Sequence, residues 1–223
     1  MIEKKKKSRA RGPDKKAKQF NKIIEMGKDL FIKYGSQGFG LKELANKLNM
    51  VKSNIYNYVR SKRELWYAIR LQYFSEYEKG LADLLKNHKG NYVEFGIKWA
   101  QYFLEFAAAD YKRFEMMFFI RAPSSNKIGP YEKKYRPLRL MEKGLNIVNK
   151  AISEGKYRET DPIPLYYTMY ASCLGAAKIE ADLKLNYKIT EPLTIEKNML
   201  SSEEFRSFFL KEFRDRLEKA YKS

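Results

Sequence analysis

Residues 41–62, LKELANKLNMVKSNIYNYVRSK, constrain this chain more than any other stretch. Leu41, Leu44, Ala45 and Leu48 recur at the spacing of a buried helical face. Asn49 then stands where the chain must turn, and asparagine tolerates left-handed backbone better than most residues other than glycine. Met50 closes the turn over the core, and residues 51–58 predict a second short helix. Ile55 and Val59 point inward on it. Lys52, Ser53, Asn54 and Asn57 point outward, a set rich in hydrogen-bonding groups that contains no acid. Two short helices joined in this way make a helix-turn-helix. Its second helix has the outer face of one that enters the major groove of DNA, where Asn and Lys bond base edges.

Charge supports the same reading. The 223 residues carry a net charge of +18, and residues 1–65 alone hold 18 basic against 6 acidic side chains. Two thirds of the excess therefore lies in under a third of the chain, the electrostatic footprint of a phosphate-binding segment. Residues 1–18 read as a basic mobile tail with almost no apolar content. Such a tail can lie along a DNA backbone or reach into the minor groove. No apolar run is long enough to span a bilayer, and none follows the basic start, so neither a membrane protein nor a signal peptide is expected. The single Cys173 excludes an internal disulfide framework, and a cytoplasmic protein follows.

No catalytic constellation is visible. His88 is the only histidine and sits in a polar turn beside Asn87 and Lys89. There is no glycine-rich phosphate loop, no cysteine pair and no nucleophile with its base. An enzyme, a cofactor and a metal are therefore not expected.

Residues 20–65 resemble the DNA-binding domain of the TetR (tetracycline-repressor) family of transcription regulators. Ile23, Ile24, Leu30, Phe31 and Gly35 fit the family's first helix and its exit glycine. Leu44-Ala45 fits the second helix, Ile55-Tyr56-Asn57-Tyr58 the recognition-helix pattern, and Ser61-Lys62-x-Glu64-Leu65 the start of the fourth helix. Gly40 stands where a capping Thr is usual, Val51 replaces a Ser, Ser53 a common Gly, and Met26-Gly27 a pair of alanines. The changes at 51 and 53 bear on base preference. The resemblance implies that Tyr56, Tyr58 and Lys62 contact phosphates, while Lys52, Ser53, Asn54 and Asn57 are candidates for base edges. Lys42 joins them on the DNA surface. Tyr56 and Tyr58 cannot share a helix face, so one is expected to pack and the other to point out.

Along the chain, a first helix is expected from Pro13-Asp14 to Tyr34, closed by Gly35 as a left-handed cap. Gly38 supplies flexibility, and Phe39 plugs the small core. Ser61 and Glu64 form a capping box. Leu65, Trp66, Ile69, Tyr73 and Tyr77 continue a long helical stripe. Asn91 caps the next helix, and residues 107–110 break it. Residues 121–129 are a loop, and residues 131–154 return to helix. Residues 154–162 resemble the turn before the family's eighth helix. Residues 164–177 are apolar almost all round, which demands burial on several sides. A last helix starts at Ser201 or Ser202 with Glu204 and carries Phe205, Phe208, Phe209, Phe213, Leu217 and Tyr221.

The expectation is an all-α chain: a basic tail over 1–18, a three-helix helix-turn-helix DNA-binding domain over 19–62, and a helical ligand-binding and dimerisation domain over 63–223. The resemblance implies a ligand-responsive regulator, a repressor that binds a palindromic operator in double-stranded DNA as a homodimer. It also implies a pocket in the body. Candidate walls are Trp66, Tyr73, Phe95, Trp99, Phe103, Met117, Phe118, Met141, Tyr167 and Tyr170, which suit a small, mostly apolar effector such as a fatty-acyl or aromatic compound. Tyr170, Cys173, Leu174, Phe205, Phe208, Phe209, Phe213 and Leu217 are expected at the dimer interface. The alternatives are a non-specific or architectural DNA-binding protein, or a TetR-like regulator without small-molecule control.

Overall fold

A computed structural model describes residues 12–87, 91–135, 138–158, 160–186 and 200–220. Among them run ten helices: α1 Pro13–Tyr34, α2 Leu41–Lys47, α3 Lys52–Tyr56, α4 Lys62–Lys86, α5 Tyr92–Ala109, α6 Tyr111–Phe118, α7 Pro130–Lys134, α8 Leu138–Ser153, α9 Pro162–Asn186 and α10 Ser202–Ala220. The all-α expectation holds. Residues 1–11, His88 and Tyr221 lie outside the described residues.

Helix α1 opens with Pro13, whose missing N–H costs nothing in a first turn, and with Asp14 beside the positive helix end. The helix expected from Pro13-Asp14 to Tyr34 is found, and it takes in residues 13–18, which the expected tail also covered. At the other end Gly35 donates its N–H to the Phe31 carbonyl. Its φ of 65° and ψ of −169° are not those of the expected left-handed α cap but of a region open essentially to glycine alone. Gly38 is needed for close approach rather than flexibility: a Cβ there would stand 2.2 Å from the Tyr34 carbonyl oxygen. Asn49 takes the expected left-handed conformation, with φ 52°.

The chain divides into two compact units, and the division falls inside α4 after Tyr73. The first unit combines residues 1–73 with 115–135. Sequence alone put the boundary at residue 62. The difference arises because the first half of α4 and the 115–135 segment bury their side chains with α1 to α3. Leu65 and Ile69 of α4, for example, leave Gly27 of α1 only 3.1 Å for a Cβ.

In the second unit α5 packs on α9 and α10, and α8 packs on α9. Asn91 caps α5 by accepting from the Glu94 N–H at 3.0 Å. The break expected over 107–110 is confined to Asp110, since Ala107 to Ala109 still belong to α5; Asp110, with extended backbone, separates α5 from α6 and accepts from the Arg113 N–H. Phe103, Leu104 and Phe114 are fully buried, with the Phe103 and Phe114 rings edge to face at 5.2 Å. The helix expected over 131–154 is two helices, α7 and α8. Gly155 ends α8 at φ 67°. At α10, Ser201 and Glu204 form a reciprocal capping box: Ser201 Oγ accepts from the Glu204 N–H at 3.1 Å, and the Glu204 carboxylate accepts from the Ser201 N–H at 2.8 Å.

Candidate nucleic-acid interface

The first unit is built on a small core. Ile23, Ile24 and Phe31 of α1, Leu44 and Ala45 of α2, Ile55 of α3, Val59 and Leu65 are all essentially inaccessible. The ring of Phe39 fills the gap after α1 and meets Phe31 edge to face at 4.9 Å. Each large apolar side chain taken out of water contributes roughly 1.5–3 kcal/mol, so a few anchors suffice to hold α3 by one side. Between α2 and α3 the Met50 N–H closes onto the Ala45 carbonyl at 2.8 Å. Helix α3 is shorter than the 51–58 expected. After Tyr56 the chain tightens, with the N–H of Tyr58 on the Ile55 carbonyl, three residues back.

With Ile55 inward, the other side of α3 is open. Lys52, Ser53, Asn54, Tyr56 and Asn57 are exposed together, and Lys42 is exposed on α2. No acid lies among them. Tyr56 is 46% exposed, with the Lys52 ammonium 5.7 Å from its ring centre. Tyr58 instead packs, its ring stacked on Phe20 at 6.0 Å, so one tyrosine points out and the other in. Lys62 is turned inward: its ammonium donates to the Phe39 carbonyl at 2.7 Å and lies 5.0 Å from the Phe39 ring centre, and burial lowers its pKa. An ammonium has three hydrogens, so a phosphate contact by Lys62 would share the group with this internal bond.

At the start of α4, Ser61 Oγ accepts from the Glu64 N–H at 3.0 Å, the expected half of a capping box. The buried Glu64 carboxylate does not reach back to Ser61. It accepts from the Arg60 N–H at 2.6 Å and from the Tyr131 N–H at 3.4 Å. The second partner belongs to a segment whose place in this unit no local pattern announces. Arg63 holds that segment at two points, donating to the Pro123 carbonyl at 3.1 Å and through Nε and Nη2 to Glu132 at 2.9 and 2.6 Å. This pairing keeps the Glu132 carboxyl below its ordinary pKa. Tyr131 stacks on Phe20 at 5.6 Å, and Tyr135 accepts from Arg70 at 2.8 Å. The partners are some sixty-five residues apart, beyond any helical periodicity.

The candidate effector walls fall in different surroundings. Trp66, Tyr73, Met117 and Phe118 belong to the first unit, where Trp66 donates to the Ile120 carbonyl and Tyr73 to Glu25. Trp66, Tyr73 and Met117 are buried there as core. In the second unit Phe95 and Phe103 are core, Trp99, Met141 and Tyr170 are half-buried, and Tyr167 is 48% exposed with its hydroxyl on the Met141 sulfur at 3.0 Å. A cleft of about 750 Å³ lies elsewhere in that unit, between the end of α5, the start of α6, the last turns of α9 and the start of α10. Leu104, Ala107, Lys112, Ala177 and Leu185 line it, together with the buried Glu180, which Lys184 and Arg206 both pair. None of the ten candidates lines it. Its sequence trace is the alanine clusters on α5 and α9, which leave room where helices face each other.

The candidate dimer residues also separate. Cys173, Phe213 and Leu217 are buried within the chain itself. Leu217 lies so close to α5 that a Cβ on Gly96 would stand 2.7 Å from it. Burial pushes the Cys173 thiol pKa up. Phe205, Phe209, Tyr170 and Leu174 are half-buried, and Phe208 is 62% exposed. Ile163, Ile179 and Leu185 of α9 are exposed as well.

Among the described residues no helix is long and apolar enough to cross a membrane, and no group of three or more His, Cys, Asp or Glu could hold a metal ion.

No family model matches the chain. A curated relative, the HTH-type transcriptional repressor NemR of Escherichia coli (strain K12), is 31% identical over 70 residues. The match covers 31% of this chain and only 35% of the relative's length. Solved structures match nearly end to end. A transcriptional regulator of the TetR/AcrR family from Thermobifida fusca YX-ER1 covers 89% of this chain and 97% of its own at 17% identity, TM-score 0.53. The fatty acid degradation regulator FadR from Bacillus halodurans covers 94% and 96% at 10% identity, TM-score 0.61. AibR, solved in complex with isovaleryl coenzyme A and operator DNA, covers 87% and 97% at 16% identity, TM-score 0.60.

Proposed function

We propose, on the premise that this chain has the fold of the TetR-family transcription regulators, that it is a ligand-responsive DNA-binding repressor of the cytoplasm rather than an enzyme. The observation that carries this is the acid-free face of α3: Lys52, Ser53, Asn54 and Asn57 stand exposed above a core that holds Ile55 and Val59. Lys42, Tyr56 and Lys62 frame that face as backbone contacts, Tyr58 packs beneath it on Phe20, and the exposed side chains of α3 read base edges. The 70-residue likeness to a repressor supports the same role.

The repressor acts as a homodimer on a palindromic operator, because a symmetric site calls for two recognition helices. The apolar side chains left exposed on α9 and α10, Phe208 and Ile179 among them, supply a surface for a second copy. The effector is a small, mostly apolar compound of the fatty-acyl or aromatic kind, and the short branched acyl group of the isovaleryl coenzyme A bound by AibR has that apolar character. It favours the conformation that binds DNA poorly, so effector and operator weaken each other to the same degree.

The test is DNA binding by fluorescence anisotropy, on fragments upstream of the protein's own gene and on sites selected from a random pool. It is run near physiological salt with excess random-sequence competitor. Binding that survives the competitor is expected, with release on adding acyl-CoA or aromatic compounds. Asn54→Ala and Asn57→Ala are each expected to reduce discrimination between operator and random DNA by about 1–3 kcal/mol while sparing non-specific affinity. Equal loss on all sequences would overturn the base-reading role. Binding abolished by the competitor would favour the second reading, an architectural DNA-binding protein, which the net charge of +18 also supports.

A further inference from the structure

We propose that this protein has a second DNA-contacting element: the loop 124–130 with α7, whose Lys127, Lys133 and Lys134 meet backbone phosphates beside those under α3. The inference rests on the reading that the first unit binds DNA. Both ends of the loop are fastened to the first turn of α4. Arg63 grips the Pro123 carbonyl at one end and Glu132 at the other, and Glu64 accepts the Tyr131 N–H. The fit leaves no slack, because a Cβ on Gly129 would stand 2.2 Å from the Glu64 carboxyl carbon. Phe20 ties this element to the recognition helix: its ring stacks on Tyr58, just past α3, at 6.0 Å and on Tyr131 of α7 at 5.6 Å.

The chemistry of the loop suits a phosphate backbone. Residues 121–135 contain Arg121, Lys127, Lys133 and Lys134 against a single acid, Glu132, and Arg63 already neutralises that acid. The four bases are exposed, as are Ser124 and Asn126, which can donate to phosphate oxygens. Duplex DNA carries a charge about every 1.7 Å of its axis, so a basic element fixed beside a docked recognition helix meets phosphates. These contacts position the protein and carry no sequence information.

The test compares the full chain with a variant carrying Lys127→Gln, Lys133→Gln and Lys134→Gln, measuring affinity for a random-sequence duplex and for a selected site across a salt series. A control carries Lys98→Gln, Lys143→Gln and Lys219→Gln, exposed lysines of the second unit. The slope of log affinity against log salt is expected to fall by about 0.9 for each phosphate that the variant no longer neutralises, and affinity to fall by the same factor on both duplexes. The thermal midpoint and the control's slope stay at the wild-type values. An unchanged slope in the loop variant, or an equal change in the control, would overturn the proposal while leaving DNA binding intact. A wild-type chain that binds no duplex would instead overturn the function reading itself, and this inference with it.

Discussion

Single residues decide the turn geometry of the first unit. Asn49 is the one non-glycine residue with positive φ among those described, and it sits between α2 and α3. A β-branched side chain there forces Cβ toward the following carbonyl, so Asn49→Val is expected to cost about 1–2 kcal/mol, while Asn49→Gly stays close to wild type. Urea denaturation of the two variants checks this; equal stabilities would mean the turn accepts another conformation. This residue was legible from its type and place. Glu64 was legible only in part. Its spacing from Ser61 announced a cap, but its acceptance of the Arg60 and Tyr131 N–H groups depends on chain that arrives from elsewhere.

At the scale of elements, the first turns of α4 organise the unit around the Arg63–Glu132 pair. Arg63 holds the Glu132 carboxyl below its ordinary pKa of 4.5. A carboxylate depressed in the folded chain adds stability that is fully present above its unfolded value and is lost as pH falls through the folded one. The wild type is therefore expected to lose stability more steeply than Glu132→Gln as pH drops below about 4.5, and to exceed the variant by a constant margin above it. Urea midpoints taken from about pH 6 to about pH 3 test the sign. Parallel curves would show that the pair adds nothing through titration. Helix α9 teaches a related lesson. Its apolar composition demanded burial on several sides, and among the described residues it packs on α5, α8 and α10. Tyr167 and Ile179 remain about half exposed on it.

For the whole molecule, the exposed side chains of α9 and α10 bear on assembly. Phe208 and Phe213 are five residues apart on α10, yet one is 62% exposed and the other buried. Phe208→Glu is expected to lower the dimer fraction in sedimentation velocity while leaving helicity and the thermal midpoint unchanged. Phe213→Glu is expected to unfold the second unit, since a lone buried carboxylate costs several kcal/mol. A Phe208→Glu chain as dimeric as the wild type would place the interface on another face.

The sequence by itself determined most of the helices, many of their ends and the character of the α3 face. Those follow from periodicity, capping residues and the absence of acids, all properties of neighbours within about four positions. Tertiary structure alone decided three further features. The first is the place of residues 115–135 beside α1 and α4. The second is the cleft beside Glu180. The third is which aromatics of α10 are core and which are surface. Each depends on partners tens of residues apart or on a facing helix. Amphipathic pattern states how much surface a helix must bury, but not against what.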